Sequence, residues 1–158
     1  MRWQDFEASA PDIAAFVREQ LEQTRVAILG SLRKDGSPRI SMIEPYIVDG
    51  DIYLGMMWRS RKALDLLRDP RLALHNAICT STGEEGEFSL RGRAIEIRDP
   101  ALRSKYVQAV SERITWREQH FHLFSVDIET ASLIQYEGGE EQSVKVWPQG
   151  TEFKRQYG

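Results

Sequence analysis

Ser60, Arg61 and Lys62 are the residues of this chain whose types and spacing best fit a chemical task. Ser60 reads as a helix N-cap, and Asp69-Pro70 as the stop of the same short helix. Ala63, Leu64 and Leu67 make its apolar stripe. A helix N-terminus carries partial positive charge and favours acidic residues in its first turn. Here that turn holds two cations, with Arg59 just before them. An anion bound at the free N–H groups offsets the mismatch, and a phosphate has the right charge and acceptors. The alternative is a surface helix whose cations simply reach into water. The pattern alone leaves both open.

Gly55-Met56-Met57-Trp58 leads directly into this helix start. Met and Trp offer large polarizable surfaces that suit a planar ring, and they are equally ordinary core residues. The stretch Arg39-Ile40-Ser41-Met42-Ile43-Glu44-Pro45-Tyr46-Ile47-Val48 is apolar on both faces. In a small barrel one face fills the interior, so the other needs cover from a partner subunit or a ligand. Its alternative is a central strand with a bulge at Pro45, where a ladder donor is missing. His120 and His122 face the same way on a strand, but two ligands without a nearby Cys, Asp or Glu make no metal site. No metal is expected. His75 reads as a satisfied or interface histidine, and the acidic stretches at Glu84 to Glu87 and Gly138 to Glu141 as solvated loops. No Ser-His-Asp spacing, phosphate-loop or Rossmann glycine pattern occurs, so no catalytic side chain is named. An enzyme built this way takes its chemistry from a cofactor.

The elements that position these residues follow from periodicity. Ser9 to Gln23 reads as an amphipathic helix carrying Ile13, Phe16, Val17 and Leu21 on one face. Arg25 to Leu32, Pro38 to Val48 and Ile52 to Leu54 read as strands joined by Asp35-Gly36 and Asp49-Gly50 turns, an antiparallel meander. The helix from Ser60 follows, then a strand from Arg71 to Ile78 and a polar loop from Thr80 to Gly86. Phe88 to Ile97 alternates apolar with polar, and Gly92 inside it marks a bulge or a close backbone approach. Asp99-Pro100 caps a helix in which Leu102, Tyr106 and Val110 recur, bending near Ser111 before Trp116. Phe121 to Tyr136 is one long strand or a pair, Gly138-Gly139 turns the chain, and Val144 to Trp147 is the last strand. The tail after Pro148 reads as loose. Without βαβ alternation, the fold class is mainly β (α+β). It reads as an antiparallel split β-barrel of six to seven strands with peripheral helices, one domain over residues 1–158.

Composition narrows the setting. The 158 residues are 41% hydrophobic and 28% charged, enough for one domain with a real core. A net charge of −3 argues against a broad nucleic-acid face, so an anion site must be local. The single cysteine, Cys79, has no partner for an internal disulfide and sits beside an apolar stretch, as a buried structural thiol does. With no apolar signal core and no run of membrane-spanning length, a soluble cytoplasmic protein is expected.

Three stretches in this order carry a resemblance. Gly36-Ser37-Pro38-Arg39-Ile40-Ser41 follows a hairpin, and Asp49-Gly50-Asp51-Ile52-Tyr53-Leu54 comes next. Ser60-Arg61-Lys62 then leads to Leu67-Arg68-Asp69-Pro70-Arg71-Leu72-Ala73-Leu74. Together they resemble the pyridoxamine 5′-phosphate oxidase-like split-barrel flavoproteins, well over Thr24 to Leu74 and elsewhere by strand order. The resemblance implies an FMN-binding oxidoreductase, a homodimer with two cofactor sites at the subunit interface and a small-molecule substrate, with no nucleic-acid or membrane partner. It implies that Ser60, Arg61 and Lys62 hold the cofactor phosphate. It places Arg39, Ile40, Ser41 and Met42 beside the ring, and Tyr136, the aromatic before the Gly-Gly turn, near it. Glu44 stands where the oxidases usually carry lysine, Gly55 and Met56 where they carry polar residues. No Arg-x-His element follows Gly139. The implied substrate is therefore not pyridoxamine phosphate. Relatives that use the deazaflavin F420 share the barrel and the basic phosphate site, and a non-catalytic binder of flavin or haem is the third reading.

Overall fold

The computed structural model of the chain describes residues 1–78, 85–113, 120–136 and 141–156. Cys79, most of the expected Thr80 to Gly86 loop, Trp116 and the Gly138-Gly139 turn lie outside the described residues. Antiparallel pairing dominates: nine strands form one sheet, with four helices around it, among the described residues. The fold is a mainly β split barrel with peripheral helices. No helix of the described residues is long and apolar enough to cross a membrane.

Strands β1 (Ala27–Leu32) and β2 (Pro38–Ile43) pair across the first Asp-Gly turn, and β3 (Pro45–Val48) and β4 (Asp51–Met57) across the second. Gly36, Asp49 and Gly50 adopt φ of 83°, 48° and 79°, the left-handed region that Gly and Asp tolerate best. The two hairpins do not form the expected meander. Pro45 has no N–H to continue a ladder, so the expected single strand from Pro38 to Val48 divides at Glu44. Its halves then lie at opposite ends of the order β2-β1-β5-β6-β7-β4-β3, which includes β5 (Arg71–Asn76), β6 (Glu87–Glu96) and β7 (Phe121–Tyr136). Continuity through Glu44 brings the two edges together and closes the barrel.

Two further details correct the sequence reading. The strand count rises to nine because 38–48 is divided and because the tail is not loose. After β8 (Glu141–Trp147), Gly150 takes φ 65° and the chain reverses into β9 (Thr151–Gln156), which pairs with β8. Only Phe153 of β9 is a large apolar residue, opposite Val144, so periodicity gave little sign of a strand. The N-terminal helix is likewise two helices, α1 (Trp3–Ser9) and α2 (Pro11–Thr24). Ala10 leaves helical geometry at φ −140° and ψ 65°, and Ser9 does not cap, because its hydroxyl accepts from Trp147 Nε1 at 2.7 Å.

The barrel interior is packed by Leu29, Leu54, Met56, Leu74, Phe88, Leu90 and Phe124, all essentially buried. Each such side chain contributes about 1.5–3 kcal/mol relative to exposure. Trp3 and Phe6 from α1 and Val17 from α2 pack into the same core. Gly92 is at a register shift between β6 and β7, and a Cβ there would stand 2.0 Å from the Asp127 carbonyl oxygen. Bulge and close approach are both real, and glycine is required. Helix α4 (Pro100–Val110), capped by Asp99, lays Tyr106 and Val110 over Tyr53, Phe121 and Leu123 in a second, smaller cluster. Leu102 is partly exposed, so the expected stripe narrows to two residues.

Candidate functional site

Helix α3 (Arg61–Arg68) stops at Asp69, as the Asp-Pro pair predicts, but its buried face differs from the expected stripe. Ala63 and Leu66 face the core together with Asp65, whereas Leu64 and Leu67 remain 36% and 42% exposed. The cause is electrostatic. Asp65 accepts from Arg39 Nε at 2.5 Å and from Arg68 at 3.0 Å, and these two cations hold the carboxylate inward. Burial pushes the Asp65 carboxyl up, but the bonds and charges of Arg39 and Arg68 outweigh it, leaving it below the usual range.

Ser60 stands at the N-cap with extended backbone, and its carbonyl accepts the first helical bond from Leu64 at 3.0 Å. Its hydroxyl makes no capping bond, and the Oγ is buried with no hydrogen-bond partner among the described residues. The N–H groups of the first turn likewise have no acceptor within the helix. A buried hydroxyl without a partner is costly, by about 1–3 kcal/mol, unless something fills its place. Lys62 turns back over the same spot, donating to the Met42 carbonyl at 2.6 Å. Burial lowers its pKa, and Glu44 pulls in the opposite direction.

These groups open into a cavity of about 250 Å³ at the barrel seam, lined by Val26, Met42, Ile43, Glu44, Gly55, Met56, Met57, Ser60 and Lys62. Of the residues singled out from sequence, Met42, Met56, Ser60 and Lys62 meet here. Met56 serves both as core and as wall, since it is 1% exposed yet lines the cavity. Arg39 and Arg61 do not line it. They border a separate basic concavity with Arg33, Lys34, Asp35, Leu64, Asp65 and Arg68, on another side of α3. Ser41 lies opposite Leu29 on the inward face of β2, while Ile40 is on the outward face beside Met42 and 70% exposed. Tyr136 is outside the cavity, at the far end of β7, where its hydroxyl donates to Glu87 Oε1 at 3.2 Å.

Sequence reasoning missed Asp65 and the place of Glu44. The acid three residues before Arg68 was a usable sign for the first; the second depends on closure of the barrel. Trp58 packs against both histidines, its ring stacking on His122 at 4.5 Å and 11° and approaching His120 at 6.0 Å. Burial lowers the His122 pKa, and its Nε2 has no partner among the described residues. His75 is satisfied, its Nδ1 lying 2.8 Å from the Asn76 carbonyl.

The family model described as pyridoxamine 5′-phosphate oxidase matches residues 13–135. The chain belongs to this family. Among solved structures, the split barrel of this family member is similar to a haem-binding protein from Mycobacterium smegmatis. That pair has TM-score 0.61 and 16% identity, over 91% of this chain and 57% of the other. It is also similar to the haem storage protein HutZ from Vibrio cholerae, with TM-score 0.60 and 14% identity, over 82% and 92% of the two chains. A third is a protein from Clostridium acetobutylicum related to general stress protein 26, of the pyridoxinephosphate oxidase family. Its TM-score is 0.59 and its identity 13%, over 92% and 96%. At these identities the likeness is one of fold. No curated protein matches the sequence.

Proposed function

We propose that this pyridoxamine 5′-phosphate oxidase family member is an FMN-binding oxidoreductase. In this reading the cofactor phosphate sits at the Ser60-Arg61-Lys62 helix start and the ring lies against Met42 and Met56. The observation that carries it is the buried, unpartnered Ser60 hydroxyl opening into a cavity beside Lys62 and the free N–H groups of α3. Ser60 would donate to a phosphate oxygen, the first-turn N–H groups would do the same, and the Lys62 ammonium would neutralise its charge. Arg61, on the other side of the helix, would act on the phosphate from a greater distance. Met42, Ile43 and Met56 would exclude water from one side of the ring. When bound, FMN supplies the electron and hydride chemistry, so the reading requires no protein acid or base.

The same reading includes a homodimer. A cavity of about 250 Å³ is smaller than the roughly 300–1,000 Å³ of ordinary ligand pockets. Beside it Ile40, Met42, Met57 and Trp58 are 52–70% exposed, an apolar surface that a second copy would cover. The substrate class is a small molecule other than pyridoxamine phosphate. Haem is the second ligand worth testing, because two structural neighbours are a haem-binding and a haem storage protein.

The test is the absorption spectrum of the purified protein, followed by titration with FMN, F420 and haem. Saturable FMN binding at micromolar concentration or tighter, with a flavin spectrum perturbed by the protein, is the expected result. Binding of F420 or haem with no binding of FMN overturns the reading.

A further inference from the structure

Glu44 has three placements at once. It is the residue at which the strand 38–48 divides, it joins the two edges of the barrel, and it lines the cavity together with Lys62. No other acidic residue lines that cavity among the described residues, and Lys62 is the only cation there. The two formal charges cancel, so the cavity has no surplus of positive charge.

We propose that Glu44 sets the proton requirement of electron uptake at this site: its carboxylate disfavours a reduced ring that has taken fewer protons than electrons. The proposal rests on the flavin reading above. Two electrons and one proton leave the reduced isoalloxazine with one negative charge, whereas two electrons and two protons leave it neutral. The electrons come from an external two-electron donor, dithionite in the test below. An ionised carboxylate is an acceptor only, so Glu44 can take a hydrogen bond from a ring N–H and repels a ring that has lost one. Glu44 is itself exposed, so water and salt screen part of that repulsion, and the effect is largest at low ionic strength.

Among the described residues, Glu44 and Lys62 are the charged groups of the cavity lining, and the other titratable groups packed nearby lie outside it. Lys62 on α3 already gives one hydrogen bond to the Met42 carbonyl. Tyr46 on β3 and Tyr106 on α4 both feel the Glu44 charge, and burial first of all raises both phenols, so they stay neutral. Arg113 lies over the Tyr46 ring at 6.0 Å and, with Arg25, acts on Tyr46. His122, opposite Met56 across β4 and β7, is disfavoured as a cation by burial.

The experiment measures the two-electron midpoint potential of FMN-loaded wild type, E44Q and E44K against pH by stepwise dithionite reduction with dye equilibration. Two protons per two electrons change the equilibrium hundredfold per pH unit, and one proton tenfold, which is about 30 mV per pH unit. The pH at which the steeper slope gives way to the shallower one marks ionisation of the reduced ring. E44K is expected to move that break at least one pH unit lower, a tenfold or greater stabilisation of the charged form, with E44Q between. A break at the same pH in all three proteins, or one that moves upward in E44K, overturns the proposal while leaving the flavin site standing. Failure of wild type to bind FMN removes both.

Discussion

Lys62 Nζ donates to the Met42 carbonyl at 2.6 Å, tying the first turn of α3 to the end of β2. That one bond spans the barrel seam. It places a cation, a buried hydroxyl and the outward face of β2 around a single opening, and it links the end proposed for the phosphate to the surface proposed for a second copy.

Charge placed on that surface should separate the subunits. Ile40 is 70% exposed and Met42 52%, both on the outward face of β2. Wild type is expected to run as a dimer in light scattering at micromolar concentration, and the Ile40→Glu variant as a monomer. FMN affinity should fall with it, because half of each site would be missing. A wild-type monomer that binds FMN at full affinity would show that the site is complete within one chain.

Asp65 should hold α3 in place. Its carboxylate is 7% exposed between Arg39 and Arg68, and removing one partner of a buried ion pair costs about 3–5 kcal/mol. Asp65→Asn is therefore expected to destabilise by about 3 kcal/mol in urea unfolding. The folded pKa lies below the unfolded 3.8. Its stabilisation is therefore complete above the ordinary carboxylate range and is lost as pH falls through the folded value. The wild-type stability curve should drop between neutral pH and pH values below 3.8, and the variant curve should drop less.

The stacked pair Trp58–His122 makes a separate pH prediction. Burial lowers the His122 pKa from 6.5, so the unfolded chain takes up the proton first as pH falls. Stability is then present above 6.5 and decreases as pH falls from 6.5 toward the folded value. Melting temperature should decline over that window in wild type, with a change in Trp58 fluorescence, and the decline should shrink in His122→Phe. A variant that keeps the full slope would place the titration elsewhere.

The fold class was legible because local signals agreed. Asp-Gly turns, alternating strands and the Asp-Pro stop each specify geometry within a few residues, and Gly92 announced its bulge. What stayed hidden depends on tertiary contacts. Glu44 reads as one residue in a strand until the chain on either side of it is seen at opposite sheet edges. Asp65 lies outside the expected stripe of Ala63, Leu64 and Leu67, and its burial depends on Arg39 arriving from β2. Ser60, Lys62, Met42 and Met56, which helix-cap chemistry and the order of elements singled out, line one cavity. Arg39 was grouped with them by the resemblance and Arg61 by the charge pattern of the helix start, yet both border the concavity on the other side of α3.

The most direct measurement compares the affinity of FMN with that of riboflavin, which lacks the phosphate, in wild type and in Lys62→Met. Charge-assisted hydrogen bonds to the phosphate contribute about 1.5–3 kcal/mol each, so wild type should prefer FMN by at least about 100-fold. In Lys62→Met that preference should fall by about tenfold or more while riboflavin binding stays nearly unchanged. An FMN preference that is the same in both proteins would contradict a phosphate held at the Ser60-Arg61-Lys62 helix start.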